Sequence, residues 1–251
     1  MKPARILYVI ASLEVGGTER HLVRVTSRLD RTRWQPEVYC ISHSRHGLIA
    51  DRLAAEDIRV YSAPARTRKL SQIMQVMIDL HRHLRTWRPA IVHFFLPEAY
   101  LIGAPTALLA GVPVRIMSRR SLNLYQRNFR LAGLIESHLH RRMQAVLGNS
   151  QSVVRELQEE GVSSDRLGLI YNGIEIESDG SQGDRIATRR AVAIAPSSLV
   201  FGIVANLIPY KGHRDLIEAM ALASPRLPPD WRLLVIGRDD GIGEDLRPRS
   251  G

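Results

Sequence analysis

Cysteine is almost missing from this 251-residue chain: Cys40 is the only one, so no internal disulfide can brace the fold. The strand-like segment 37–41 around it reads as the setting of a buried, inert thiol, not of a nucleophile. Long hydrophobic runs are missing as well. None approaches the roughly 18 residues that cross a bilayer, which excludes a membrane-spanning helix. Met1 to Arg5 lead straight into a strand-like segment with no small-residue cleavage site, so the expected compartment is the cytoplasm. Aromatics make up only 6% of the residues, and no nucleic-acid-binding motif is present, which argues against a nucleic-acid partner. Acids are in short supply, with 25 Asp and Glu against 35 Lys and Arg and a formal charge of +10. That balance calls for an anionic partner, either a phosphorylated substrate or an acidic membrane surface. His43, His46, His81, His83, His138 and His140 form no coherent ligand set, since His81 and His83 fall on different faces of a predicted helix. Neither a metal nor a cofactor is expected.

Among the features present, the run Val15-Gly16-Gly17-Thr18-Glu19-Arg20-His21 carries the most information. It follows an apolar strand-like segment, 6–11, and opens a helix-like one. Glycines remove the Cβ that would block close approach, and the first helical N–H groups lie unpaired at the positive end of the helix dipole. The arrangement is a seat for an anionic group, although Gly-Gly also serves any sharp strand-to-helix turn. Basic residues concentrate between Arg115 and Arg142. There Arg115, Arg119, Arg120, Arg127, Arg130, Arg141 and Arg142 face one acid, Glu136, and alternate with Leu122, Leu124, Tyr125, Phe129, Leu131, Leu134 and Ile135. Such an amphipathic basic stretch suits an anionic membrane surface; a core-facing helix with a solvated basic face is the plainer reading.

Strand and helix patterns alternate along the chain. Strands are predicted at 6–11, 37–41, 59–62, 90–94, 114–118, 145–148 and 167–171. Helices are predicted at 18–29, 47–56, 70–86, 98–110, 130–144 and 150–160. Strands apolar on both faces and separated by helices imply a doubly wound parallel sheet, a Rossmann-like α/β domain over 1–174. The Gly-, Ser- and Asp-rich stretch 175–185 reads as a linker that leads, with a crossover helix at 185–194, into a second unit. From 197 the alternation restarts with a strand at 200–205, a helix at 212–223 and a strand at 232–236. Two strands do not complete such a domain, and 197–251 reads as the start of a second one.

Five local sequences in order now carry a resemblance: Gly16-Gly17-Thr18-Glu19; Ile91-Val92-His93; Gly148-Asn149-Ser150; Leu169-Ile170-Tyr171-Asn172-Gly173-Ile174; and Val204-Ala205-Asn206-Leu207-Ile208-Pro209-Tyr210-Lys211-Gly212-His213. Together they resemble glycosyltransferase family 4. The resemblance implies a GT-B architecture, with the acceptor on the first Rossmann-like domain and a nucleotide-sugar donor on the second. It also implies retention of anomeric configuration without a bound metal. The departing diphosphate is then met by protein charges and helix N-termini. On this resemblance Gly16 and Gly17, together with Asn206, Lys211 and Gly212, are the candidate donor-binding residues. Candidates on the acceptor side are Glu19, His93, Arg119 and Arg120; Asn172 and Gly173 lie at the passage between domains. No catalytic residue is assigned. Plainer roles stand beside these: Glu19 as a dipole complement, His93 as a structural histidine, and Asn172-Gly173 as a turn.

The sequence departs from the family's pattern in three places. Asn206 stands where many relatives carry an arginine. Ser118-Arg119-Arg120-Ser121 stands where many carry a histidine, and those arginines could instead hold a phosphate of a lipid-linked acceptor. The family's later paired-glutamate motif is not found, so the chain reads as a truncated member. The implied function is transfer of a glycosyl unit from a nucleotide diphosphate sugar to a hydroxyl acceptor, a cell-envelope or lipid-linked glycan precursor. The other reading is a catalytically incompetent remnant acting as an acceptor-binding or membrane-surface module. A dinucleotide-dependent oxidoreductase fits worse, since the first turn lacks G-x-G-x-x-G and segment 37–41 does not end in an acid placed for ribose.

Overall fold

The computed structural model describes residues 2–42, 47–62, 69–121, 130–174 and 182–246. His43, His46, the segment 122–129 and most of the expected linker, 175–181, lie outside the described residues. The chain divides into two compact units, Met1–Glu175 and Ile176–Gly251.

The first unit follows the alternation expected from the sequence. Its strands are β1 (Ala4–Ile10), β2 (Trp34–Cys40), β3 (Arg59–Ser62), β4 (Ile91–Phe95), β5 (Val114–Arg119), β6 (Ala145–Gly148) and β7 (Leu167–Leu169). Its helices are α1 (Gly17–Ser27), α2 (Leu48–Ala55), α3 (Lys69–Trp87), α4 (Pro97–Leu109), α5 (Arg130–His140) and α6 (Gln151–Glu159). All seven strands are parallel in the order β3-β2-β1-β4-β5-β6-β7. The order reverses between β1 and β4, so a crevice opens beyond their C-terminal ends, the place where open α/β sheets bind ligands.

Successive side chains of a strand point to opposite faces, so β1 feeds two cores. Leu7 and Val9 join Val92, Phe94, Met117 and Val146, and on that face they pack against Leu80 of α3, Tyr100 of α4 and Leu157 of α6. Ile6, Tyr8 and Ile10 pack with Val38, Cys40, Leu22 of α1 and Leu53 of α2 on the other. Removing one such side chain, as in Leu80→Ala, costs roughly 2–5 kcal/mol of stability. Among the described residues no helix is long and apolar enough to cross a membrane.

The second unit holds α7 (Gln182–Ala191), β8 (Val200–Val204), α8 (His213–Ala223) and β9 (Arg232–Ile236). β8 and β9 pair in parallel, with Val200 opposite Arg232 and Val204 opposite Ile236. Its core is thin: Met220 and Ile194 are buried, yet Val204 is 80% and Ile236 52% exposed at the ends of the two strands.

Candidate functional site

The crevice at the C-terminal ends of β1, β4 and β5 gathers most of the residues singled out in the first unit. Gly16 is the N-cap of α1 in extended backbone, and its carbonyl accepts the Arg20 N–H at 3.1 Å. A Cβ at Gly16 would collide with the Glu19 carboxylate, whereas one at Gly17 would meet open space. Glu19 is 7% exposed. Burial pushes its carboxyl above the usual range, its own backbone N–H opposes that shift, and Glu14 reinforces it. The helix N-terminus at Gly16-Gly17 is thus already faced by an anion of the chain itself. A ligand hydroxyl that donates to a carboxylate suits this spot better than a second full negative charge.

His93 projects from β4 on the same side of the sheet as Tyr8 and Phe95, its ring centroid 5.6 Å from that of Tyr8 and 4.4 Å from that of Phe95. Its Nε2 is 2.7 Å from the Ser118 hydroxyl on β5. Burial first, then the cationic Arg120 and His21, push the imidazole down to about 3, so it is neutral at physiological pH. Arg120, one residue beyond β5, lays its guanidinium 5.5 Å from the centre of the Phe95 ring and donates to the side-chain oxygen of Asn172. Asn149 donates to the Arg120 carbonyl at 3.2 Å. Burial lowers the Arg120 guanidinium to about 10, which leaves it charged. Beside it, Gly173 offers its carbonyl to Arg24 of α1 at 3.3 Å. Asn172 and Gly173, the expected passage between domains, are thus each held by an arginine from a different element. Leu96, between β4 and α4, has φ 74° and ψ 150°, a conformation that costs a non-glycine residue about 1–3 kcal/mol and that clusters at functional sites.

Arg119 requires a correction. It was placed with Arg120 on the acceptor side, but it is 1% exposed and points to the opposite face of the sheet. There its guanidinium binds Glu136 of α5 at 3.1 Å and also binds Glu160 just after α6. His140 approaches Glu160 at 3.5 Å and stacks on Tyr100, whose hydroxyl is 3.0 Å from His140 Nδ1. Although burial works against it, bonds from His140 and Arg119 hold the Glu160 carboxyl down to about 2. Part of the basic stretch turns inward: Glu136 is fully buried, and Arg115 donates to the carbonyls of Val112 and Arg142. Ligand atoms of Glu136, His140 and Glu160 lie within 4.8 Å of one another, a spacing that could suit a metal ion. Arg119 already supplies the positive charge between the two carboxylates. The two acids lie 17 and 41 residues from Arg119 along the chain, so no local pattern marks the group.

In the second unit, Lys211 ends a short 3-10 turn and Gly212 is the N-cap of α8 with φ 74°, a left-handed backbone that favours glycine. Lys211 is exposed, its ammonium 5.2 Å from the centre of the Tyr210 ring. Asn206, beyond β8, donates to Asp240 at 3.0 Å, and Arg238 pairs with the same carboxylate at 2.7 Å. The second unit therefore carries an arginine near Asn206 that arrives from the end of β9. A linear scan for an arginine at position 206 could not find it. His21 and Ser118 stand in motifs of the sequence and Arg24 in its first predicted helix, but only the fold brings the three to the crevice. The two sets of residues, in the first and second units, each form their own cluster.

The fold has many solved counterparts. A complex of Anabaena Alr3699/HepE with UDP superposes with a TM-score of 0.77 at 20% identity over 96% of this chain and 63% of that one. A glycosyltransferase from Rickettsia africae ESF-5 gives 0.69 at 16% identity, covering 97% of this chain and 62% of that one. The lipopolysaccharide outer core galactosyltransferase WaaB, in its apo form, gives 0.62 at 15% identity, covering 96% and 63%. The chain thus spans less than two thirds of the length of these structures. No curated protein matches it. The sequence model of Glycosyltransferase Family 4 matches residues 15–178, from the Gly16-Gly17 turn through the crevice to just past the end of the first unit. With this match on a GT-B-like α/β fold, the chain belongs to glycosyltransferase family 4.

Proposed function

We propose that the chain transfers a glycosyl unit from a nucleotide diphosphate sugar to a hydroxyl acceptor, a cell-envelope or lipid-linked glycan precursor. The observation that carries this reading is the cationic turn Lys211-Gly212 ahead of α8, in a chain of this family. A compact ammonium at the N-terminus of an 11-residue helix is suited to a diphosphate leaving group. The complexes of HepE with UDP and with UDP-glucose support a nucleotide-sugar donor, and the outer-core activity of WaaB supports an envelope acceptor. In the first unit, Glu19 accepts from the acceptor hydroxyl, and neutral His93 and cationic Arg120 orient the remainder of the acceptor. Gly17 leaves open space at the start of α1, and Gly16 leaves room for the Glu19 carboxylate.

Calorimetric titration with a panel of nucleoside diphosphates and their sugars tests the donor half. Saturable binding that weakens about tenfold or more in Lys211→Ala is expected, the cost of losing a charged hydrogen-bond donor. Indifference to that substitution removes Lys211 from the site.

One observation favours a membrane-surface role beside this one. On α5, Leu131 and Leu134 are 71% and 70% exposed and Ile135 43%, with exposed Arg141 and Arg142 at the end of the helix. Apolar side chains with basic neighbours are the pattern of an interfacial helix on anionic lipid. Sedimentation with phosphatidylglycerol vesicles, reduced in Leu131→Ser/Leu134→Ser, is the expected result. Vesicle binding with no binding of any nucleotide would favour the non-catalytic module.

A further inference from the structure

One side of α1 carries residues that the sheet core does not use. His21 and Arg24 lie three residues apart and Arg28 caps the helix four residues later, so the helical period puts all three on one side. With Val25, Gly173 and Ile174 they line a cavity of about 300 Å³, and among the described residues none of its lining is acidic. His21 is 7% exposed, and its Nδ1 has no hydrogen-bond partner among the described residues. The imidazole as a residue lines the cavity, while Nδ1 itself is closed to water.

The electrostatics define what enters. Burial, then Arg120, then Arg24 push the His21 imidazole down to about 4, so it presents a neutral ring within the field of two cations from two different elements. Arg24 is half-buried and donates to the Gly173 carbonyl at 3.3 Å. A guanidinium has further N–H groups in its fork with which to meet a ligand. Two arginine forks offer more donors than a single carboxylate accepts, and they match the several oxygens of a phosphate. Val25 and the 74% exposed Ile174 add an apolar margin to the same cavity.

We propose that this cavity binds a phosphate or diphosphate group joined to an apolar moiety. Arg24 and Arg28 lie on its oxygens, the His21 ring forms part of the wall, and Val25 and Ile174 lie against the apolar part. Resting on the transferase reading above, this ligand is the anchoring end of a lipid-linked acceptor.

The test titrates the full chain with inorganic pyrophosphate, with farnesyl diphosphate, and with phosphatidylcholine vesicles containing phosphatidylglycerol. Binding is followed by calorimetry and by the His21 imidazole resonance. Farnesyl diphosphate is expected to move that resonance and to bind more tightly than pyrophosphate, and Arg24→Gln and Arg28→Gln are each expected to weaken it about tenfold. Because Arg24 also holds Gly173, the exposed Arg28 keeps the test valid if Arg24→Gln perturbs folding. A static His21 resonance, or equal affinity in the Arg28 variant, overturns the proposal. A resonance that moves with vesicles alone also overturns it, because the source would then be a bilayer headgroup. Lys211→Ala separates the two readings: loss of nucleotide binding there, with the His21 response intact, concerns the donor site only. A chain that binds no nucleotide but keeps the farnesyl diphosphate response loses the transferase reading and retains this cavity.

Discussion

Arg119 and Arg120 stand side by side at the end of β5 and face opposite sides of the sheet, because successive side chains of a strand alternate. Arg120 reaches the crevice, and Arg119 is enclosed with Glu136 and Glu160. Glu160 is held well below its ordinary value in the fold, so its contribution to stability is full above about pH 4.5 and is lost as the pH falls toward 2. Denaturant midpoints measured from pH 7 to pH 3 are expected to fall for the wild type and to fall less steeply for Glu160→Gln. Parallel curves would refute the linkage. At Gly16, a methyl group meets the far end of the Glu19 side chain, so Gly16→Ala is expected to displace that carboxylate at a cost of under about 1 kcal/mol. Adding Glu19→Ala should recover part of that loss, and a double-mutant cycle with no coupling would show that the contact does not matter. The sequence marked Gly16 and Glu19 as important, because a glycine turn before a helix is a local signal. It could not show that the two touch, which depends on how the side chain folds back over the turn.

Elements were the most legible level. Periodicity placed every described strand and helix of the first unit within a few residues, since alternation and helical spacing are local properties. The amphipathic reading of α5 needed the tertiary structure to assign its faces. Glu136, Leu139 and His140 point inward, while Leu131 and Leu134 point out. Leu139→Ala is therefore expected to cost roughly 2–5 kcal/mol, and Leu134→Ala to stay within about 0.5 kcal/mol, by chemical denaturation. A large loss at Leu134 would mean that the outer face is packed. From sequence, the apolar residues of this helix look alike, and a count of hydrophobic positions cannot tell which of them meets the sheet.

Across the whole molecule the two units are unequal in their cores. The first has a seven-stranded sheet with a hydrophobic cluster on each face; the second has two strands with exposed apolar ends. Two paired strands are marginal without further cover. Limited proteolysis is expected to cut within 197–246 before it cuts the described segments of 2–174, and early cleavage within β1 to β6 would reverse the order of stability. By itself the sequence determined the class of fold, the doubly wound first domain, the glycine turn at α1 and the Lys211-Gly212 turn, because each is written in neighbouring residues. Only the tertiary structure decided which of two adjacent arginines faces the crevice, that Arg238 stands by Asn206, and that His21, Arg24 and Arg28 share a cavity with residues 173 and 174. Those arrangements join residues far apart in the chain, and their partners are set by the order and facing of strands and helices, which no local pattern encodes.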